Sequence, residues 1–294
     1  MTVQSTGSFE GVVVPLVTPL DAEREIDRRG AAVLTEHVVS GGVSALFLNG
    51  TTGEFPGLPG AHLRSLLDVV ARELRGRAQL LVGVGATTTR GVLSLMKELD
   101  GPEVDAWVVL TPYYLTLDQT SLTEHFLAIA DSSTKPIILY DIPQFTQNKL
   151  SPPTIARLAN HARICGVKDS SGDWQHLREL LAVRSPSFAI GQGDETQMAR
   201  SLEHGADAIV PGIANLIPAV CVELANAWRA GDRQRASGAQ EAIDSTRLMY
   251  QRVYWLTALK AALSLEGICQ PYCLEPVPTA DAAVLEVTRE ALAV

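Results

Sequence analysis

Short apolar runs recur eight times along the first two-thirds of the chain, at residues 12–19, 43–48, 79–84, 104–110, 136–140, 163–168, 188–191 and 206–210. Between them lie stretches whose apolar residues repeat every three or four positions, which predicts helices at 30–40, 61–74, 88–99, 122–130, 154–159, 174–183 and 198–204. Beyond residue 215 the pattern is helical only, over 216–230, 233–250, 253–265 and about 280–292. The apolar runs scarcely alternate with polar residues, as expected of strands buried on both faces. Regular strand–helix alternation implies parallel pairing. Eight such units within about 215 residues predict a (β/α)8 TIM barrel with additional C-terminal helices. A doubly wound sheet would place a Gly-rich dinucleotide turn after its first strand, and Thr18-Pro19-Leu20-Asp21 is not one. No linker or low-complexity segment divides the chain. The expected organisation is therefore one domain over 1–294, with the barrel at about 11–230 and a helical extension at about 231–294.

Composition narrows the partners. The chain has 294 residues, 46% of them apolar, and a net charge of −9 from 24 basic and 33 acidic side chains. That balance lacks the basic footprint that nucleic acid or an anionic membrane requires. Residues 1–8 do not carry a signal-peptide pattern, and no apolar run reaches the ~18 residues of a membrane span. Cys165, Cys221, Cys269 and Cys273 are too few and too scattered for a disulfide framework. A cytoplasmic protein with reduced thiols is the expectation, with no metal site and no cofactor.

In a barrel, the strand C-termini and the loops after them form the active face. Lys168 ends the sixth strand and runs into Asp169-Ser170-Ser171-Gly172-Asp173. It is one of only five lysines; Lys97, Lys135 and Lys149 lie in polar helix-end or loop contexts, and Lys260 lies within a helical pattern. A strand-end lysine usually points into water. One desolvated at a barrel rim instead becomes a nucleophile toward carbonyls. Gly50-Thr51-Thr52-Gly53-Glu54 follows strand two, where it is either an ordinary turn or a nest of backbone N–H groups sized for a carboxylate. Tyr140 ends strand five and Tyr113-Tyr114 follow strand four; each is either an amphipathic core edge or a proton relay. Asp194-Glu195 follow strand seven, where a helix start favours acids in any case. The six histidines fall in helices or at their ends, so the ligands of a metal-dependent aldolase are lacking. An amine, a phenol and an anion nest on one rim suit a 2-keto acid, whose iminium acts as an electron sink.

Gly50–Glu54, Thr111-Pro112-Tyr113-Tyr114, Tyr140-Asp141-Ile142-Pro143 and Gly166-Val167-Lys168-Asp169-Ser170-Ser171-Gly172-Asp173, in this order and spacing, resemble the dihydrodipicolinate synthase / N-acetylneuraminate lyase family of Schiff-base barrel enzymes. The resemblance implies that Lys168 forms the Schiff base, that Tyr140 transfers protons, and that Thr51 and Thr52, in the turn opened by Gly50, bind the pyruvyl carboxylate. It further implies that Thr51 links Tyr140 to Tyr114 of a neighbouring subunit, that Val210 lines the pyruvyl pocket, and that the assembly is a homotetramer, a dimer of dimers. Synthases of this family carry an arginine shortly after the tyrosine, where this chain has Phe145; a phenyl ring cannot replace a bidentate guanidinium. Asp194 and Glu195 resemble the acidic pair that holds sugar hydroxyls in sugar-acid lyases. The expected function is aldol cleavage or condensation of a 2-keto-3-deoxy sugar acid, from a small 2-keto acid and an aldehyde. The alternatives are condensation of pyruvate with aspartate semialdehyde, dehydration of a keto-deoxy sugar acid, and a non-catalytic keto-acid sensor.

Overall fold

The structure, a computed structural model, describes residues 9–292. Its eight strands are β1 Gly11–Pro15, β2 Ala45–Leu48, β3 Gln79–Val84, β4 Ala106–Leu110, β5 Ile137–Asp141, β6 Ile164–Asp169, β7 Ala189–Gln192 and β8 Ala208–Ile209. They pair in chain order, β1 through β8, as a closed barrel. The pairings run parallel, as the βα rhythm requires. Nearly every strand residue is buried, which is why the runs do not alternate in sequence.

The helices are α1 Arg28–Ser40, α2 Gly60–Leu74, α3 Thr89–Leu99, α4 Gln119–Ser132, α5 Pro143–Thr146, α6 Pro152–Leu158, α7 Trp174–Leu181, α8 Met198–Glu203, α9 Pro218–Arg229, α10 Arg233–Thr246, α11 Trp255–Leu265 and α12 Ala282–Leu292. Six of them begin at a side-chain cap: Asp27, Thr88, Asp118, Ser151, Asp173 and Asp232 each accept from a backbone N–H in the first turn. Each such cap contributes about 1 kcal/mol. No helix among the described residues is long and apolar enough to cross a membrane.

Three departures from the pattern have a local cause. The first run stops pairing at Pro15, because the Val17 N–H is drawn 3.0 Å to the Asn215 side chain rather than to a strand. Helix α5 has no counterpart in the periodicity: four residues are too few to repeat, and it is defined by Pro143 at its start and Gln147 at φ 63° after it. The predicted helix at 233–250 ends at Thr246 and tightens into a 3-10 turn over Arg247–Gln251.

By internal contacts the chain falls into two units, residues 9–11 with 79–210, and residues 12–78 with 211–292. The first unit holds β3–β8 and α3–α8. Phe9, 4% exposed, fills the space beside β6 and β7; a Cβ on Gly191 would lie 2.6 Å from its ring and one on Gly166 3.1 Å. The second unit holds β1, β2, α1, α2 and α9–α12. Asn215 is fully buried in it, accepting from Val17 and donating 2.8 Å to the carbonyls of Pro15 and Gly212. Lys260, also fully buried, donates to Glu54 Oε1 and to the Tyr272 carbonyl, while Glu54 Oε2 accepts from the Leu274 N–H at 2.6 Å.

Breaking a buried pair by removing one partner strands a charge away from water, which costs ~3–5 kcal/mol, whereas replacing both by apolar groups is often neutral. Lys260→Ala therefore lowers the unfolding free energy in chemical denaturation by ~3–5 kcal/mol. Combining Glu54→Leu with Lys260→Met restores part of the loss.

Candidate functional site

The site grows from the pairing of β5 with β6. Their register places Tyr140 opposite Lys168 and Asp141 opposite Asp169. Side chains alternate along a strand, so the two pairs point to opposite faces of the sheet. On one face the Lys168 Nζ lies 3.9 Å above the centre of the Tyr140 ring, with Lys168 5% and Tyr140 4% exposed. An ammonium over an aromatic face is held by the ring quadrupole and kept from bulk water. Space for the lysine comes from β7 and its loop: Gly191 is the register partner of Lys168, and a Cβ on Gly193 would lie 3.1 Å from Lys168 Cε and 2.0 Å from Ser170 Oγ.

The other face carries a polar cluster. Asp141 and Asp169, 0% and 1% exposed, meet His176 of α7, itself 4% exposed. His176 Nε2 lies 3.2 Å from Asp141 Oδ2, and Asp141 Oδ1 accepts from the Leu150 N–H at 3.2 Å. Asp169 Oδ1 accepts from the Ser171 N–H at 2.9 Å. Burial pushes the Asp169 carboxyl up to about 6; the Ser171 bonds and the His176 charge pull it down, and the Asp141 charge pushes it up. The ligand atoms of these three residues lie within 4.8 Å of one another, a grouping that could hold a cation. His176 and Asp141 bond to each other, and both carboxylates accept from backbone N–H groups, as a satisfied polar cluster requires.

The loop after β6 follows from its residues. Asp169 ties back to Ser171, Gly172 takes φ 72°, and Asp173 caps α7 by accepting from the His176 N–H at 3.1 Å. The cap aims His176 toward Asp141, so the polar run 169–173 builds both the strand end and its backing. After β5, Phe145 sits on α5 with 59% of its surface exposed. Asn148 donates 2.8 Å to the carbonyls of Pro112 and Leu115, holding the loop that carries Tyr113 and Tyr114. Tyr114 is 85% exposed at φ 79°, a conformation L-residues adopt only under constraint. After β7, Asp194 caps the turn that follows, accepting from the Thr196 N–H at 3.0 Å and from Gln197 Nε2 at 2.7 Å. Glu195 beside it is half-buried, and Val210, just past β8, is buried with its N–H bonded to the Gln192 carbonyl at 2.8 Å.

In the second unit, Thr51–Gly53 form a 3-10 turn after Gly50. The turn spends the N–H groups of Gly53, Glu54 and Phe55 on its own carbonyls, so those three groups do not serve an anion. Thr18 Oγ1 donates 2.8 Å to the Gly53 carbonyl, and Glu54 at φ 69° turns inward to Lys260. Glu54 is thus an anchor of the turn. A Cβ on Gly50 would lie 2.8 Å from the Phe47 ring, so only glycine fits there.

Lys168, Tyr140, Asp194, Glu195, Val210, Phe145 and Tyr114 all belong to the first unit, and Gly50, Thr51 and Thr52 to the second. Sequence reasoning missed His176 and Lys260. Lys260 carried a signal, a lysine amid Leu259, Ala261, Ala262 and Leu263, where an unpaired charge would be costly. His176 carried none, because its partner lies 35 residues away on another element.

Known proteins resemble this chain in sequence and in fold. The chain is 35% identical over 259 residues to an uncharacterised DapA-like lyase of Halobacterium salinarum, covering 88% of this chain and 85% of that one. It is 34% identical to a 4-hydroxy-tetrahydrodipicolinate synthase of Xylella fastidiosa, over 77% of this chain and 75% of that one. Among solved structures, YagE of Escherichia coli in complex with pyruvate superposes with a TM-score of 0.92 at 28% identity, covering 97% of this chain and 98% of that one; YagE is named a putative 2-dehydro-3-deoxy-D-gluconate aldolase. The pattern of the Dihydrodipicolinate synthetase family matches residues 8–293. The chain belongs to that family.

Proposed function

We propose that the protein is a pyruvate-dependent lyase that works through a Schiff base on Lys168 and cleaves or forms a 2-keto-3-deoxy sugar acid. The observation that carries the reading is the buried Lys168 amine, 3.9 Å over the ring of Tyr140 at the C-terminal ends of paired parallel strands. An amine there attacks the C2 carbonyl of a 2-keto acid, and loss of water leaves a protonated imine. Tyr140 takes the proton of the C4 hydroxyl and passes its own into the Thr51 relay. The C3–C4 bond breaks, its electrons enter the imine to give an enamine, and the aldehyde departs. Protonation at C3 and hydrolysis then release pyruvate and return the amine.

The remaining roles follow the family resemblance. The Thr51 and Thr52 N–H groups of the turn opened by Gly50 hold the substrate carboxylate, and Val210 packs against the pyruvyl methyl group. Thr51 relays protons between Tyr140 and a Tyr114 supplied by a second subunit of a homotetramer; the 85% exposure of Tyr114 suits a residue that leaves its own protomer. Asp194 and Glu195 receive the aldehyde's hydroxyls. Phe145, on the exposed face of α5, offers nothing to a second carboxylate, which favours a polyhydroxylated aldehyde over aspartate semialdehyde.

Borohydride reduction in the presence of pyruvate adds one reduced pyruvyl group, found by peptide mass spectrometry on Lys168 and absent from Lys168→Ala. An adduct on another lysine, or none, overturns the mechanism. With purified substrates, 2-keto-3-deoxy sugar acids release pyruvate at least ~100-fold faster, as kcat/KM, than pyruvate condenses with aspartate semialdehyde, a gap of about 2.7 kcal/mol. The reverse ranking assigns the protein to synthesis. Tyr140→Phe retains the trapped adduct but lowers kcat by ~10²–10⁴-fold, because imine formation needs the amine while bond cleavage needs the phenol.

A further inference from the structure

Lys260 and Glu54 form a buried ion pair that no step above uses. Lys260 Nζ donates to Glu54 Oε1 and, at 2.5 Å, to the Tyr272 carbonyl; Glu54 Oε2 accepts from the Leu274 N–H at 2.6 Å. Glu54 stands at φ 69°, where glycine is the usual occupant, so the chain keeps a strained residue there for what its carboxylate reaches. Stability does not account for the pair, because apolar side chains of similar volume in its place are often neutral or better. What a buried pair adds is a single permitted arrangement of the segments it joins. Those segments are the turn after β2 and the connection between α11 and α12. Glu54 closes the turn, its N–H bonded to the Thr51 carbonyl at 3.1 Å. The connection, residues 266–281, contains no helix or strand and is fastened from several sides. Thr257 Oγ1 donates 2.5 Å to the Pro278 carbonyl, and the Arg24 guanidinium lies 3.0 Å from the Glu275 carboxylate and 4.9 Å over the Tyr272 ring. A Cβ on Gly57 would lie 3.1 Å from Leu274 Cδ1, so the connection packs directly against the end of the turn. All of these residues belong to the second unit.

We infer that Glu54 and Lys260 are positioning residues for the substrate's carboxylate. They lock the α11–α12 connection against the turn, so that Thr51 and Thr52 keep the one backbone conformation that receives the anion. The inference rests on the Schiff-base reading above and on the carboxylate role proposed there for Thr51 and Thr52. The carboxylate takes no part in bond making, so it is held alike before and during reaction. Loosening the turn therefore weakens substrate binding and leaves the rate at saturation in place. A ketone without a carboxylate draws nothing from the turn and loses nothing with it.

Pyruvate and acetone separate the two effects. With either, the Lys168 amine adds to the carbonyl carbon, water leaves, and hydride from cyanoborohydride reduces the resulting C=N bond; only pyruvate carries the anion. Trapping on Lys168 is measured against concentration for the full-length protein and for Glu54→Leu combined with Lys260→Met, which removes both charges together. The combined variant lowers the trapping efficiency of pyruvate by ~10-fold through a raised half-saturating concentration, with its maximal rate and the efficiency of acetone within ~2-fold. A pair that only braces the fold lowers both compounds alike or neither, and either result overturns the inference. Should the combined variant lose its folded circular dichroism, Glu54→Gln decides. Its amide keeps the volume and one accepting oxygen but cannot serve both Lys260 and the Leu274 N–H, and it gives the same selective loss at ~3-fold. An unchanged ratio of pyruvate to acetone efficiency in that variant sinks the inference. Absence of any adduct on Lys168 in the unmodified protein defeats the Schiff-base reading and this inference with it, whereas an adduct with an unchanged ratio defeats this inference alone.

Discussion

Everything proposed for this protein depends on one register. Tyr140 stands opposite Lys168 because β5 and β6 pair as they do, with an irregularity between Ile137 and Ile138 that shifts the alignment before it reaches them. A slip of one residue would send the lysine and the tyrosine to the helix-facing side and bring Asp141 and Asp169 in their place. The barrel secures the register from both sides. Lys168 pairs with Gly191 of β7, and Tyr140 pairs with Leu110 of β4, so neither strand can slide without disturbing its other neighbour.

Around that register the chain spends its buried polar groups on fixing loops rather than on solvating the core. Asn148 fastens the tyrosine-bearing loop after β4, and Asp169, Ser171 and Asp173 build the turn into α7. Glu54, reaching Lys260 and the Leu274 N–H, holds the turn that opens with Gly50. Each of these groups costs free energy to bury and recovers it only through a specific partner, so each allows one loop conformation and penalises the others. Loops at a barrel's catalytic rim need such constraint, because they lack the continuous ladder that holds the strands.

The thiols carry no comparable duty. Burial pushes Cys165 up to about 11 and Cys273 likewise, and Cys269 to about 12, so they remain protonated and unreactive near neutrality.

What was legible in the sequence is whatever has a local cause. The eight buried strands and the helices between them follow from periodicity. Lys168 and Tyr140 were visible as candidates because each ends an apolar run, a property of a few neighbouring residues. Partnerships were not visible. Lys260 finds Glu54 across 206 positions, His176 finds Asp141 across 35, and nothing near either residue encodes the other. Asp194, which read as a hydroxyl-binding acid, also caps the turn at Thr196, a use the sequence permits but does not require. The sequence by itself determined the barrel and the chemical types present at its rim, because burial and propensity act residue by residue. Which of those groups meet, and which face away into a shared polar cluster, was decided only when parallel strands closed in register, because the pleat assigns faces and only tertiary contact assigns partners.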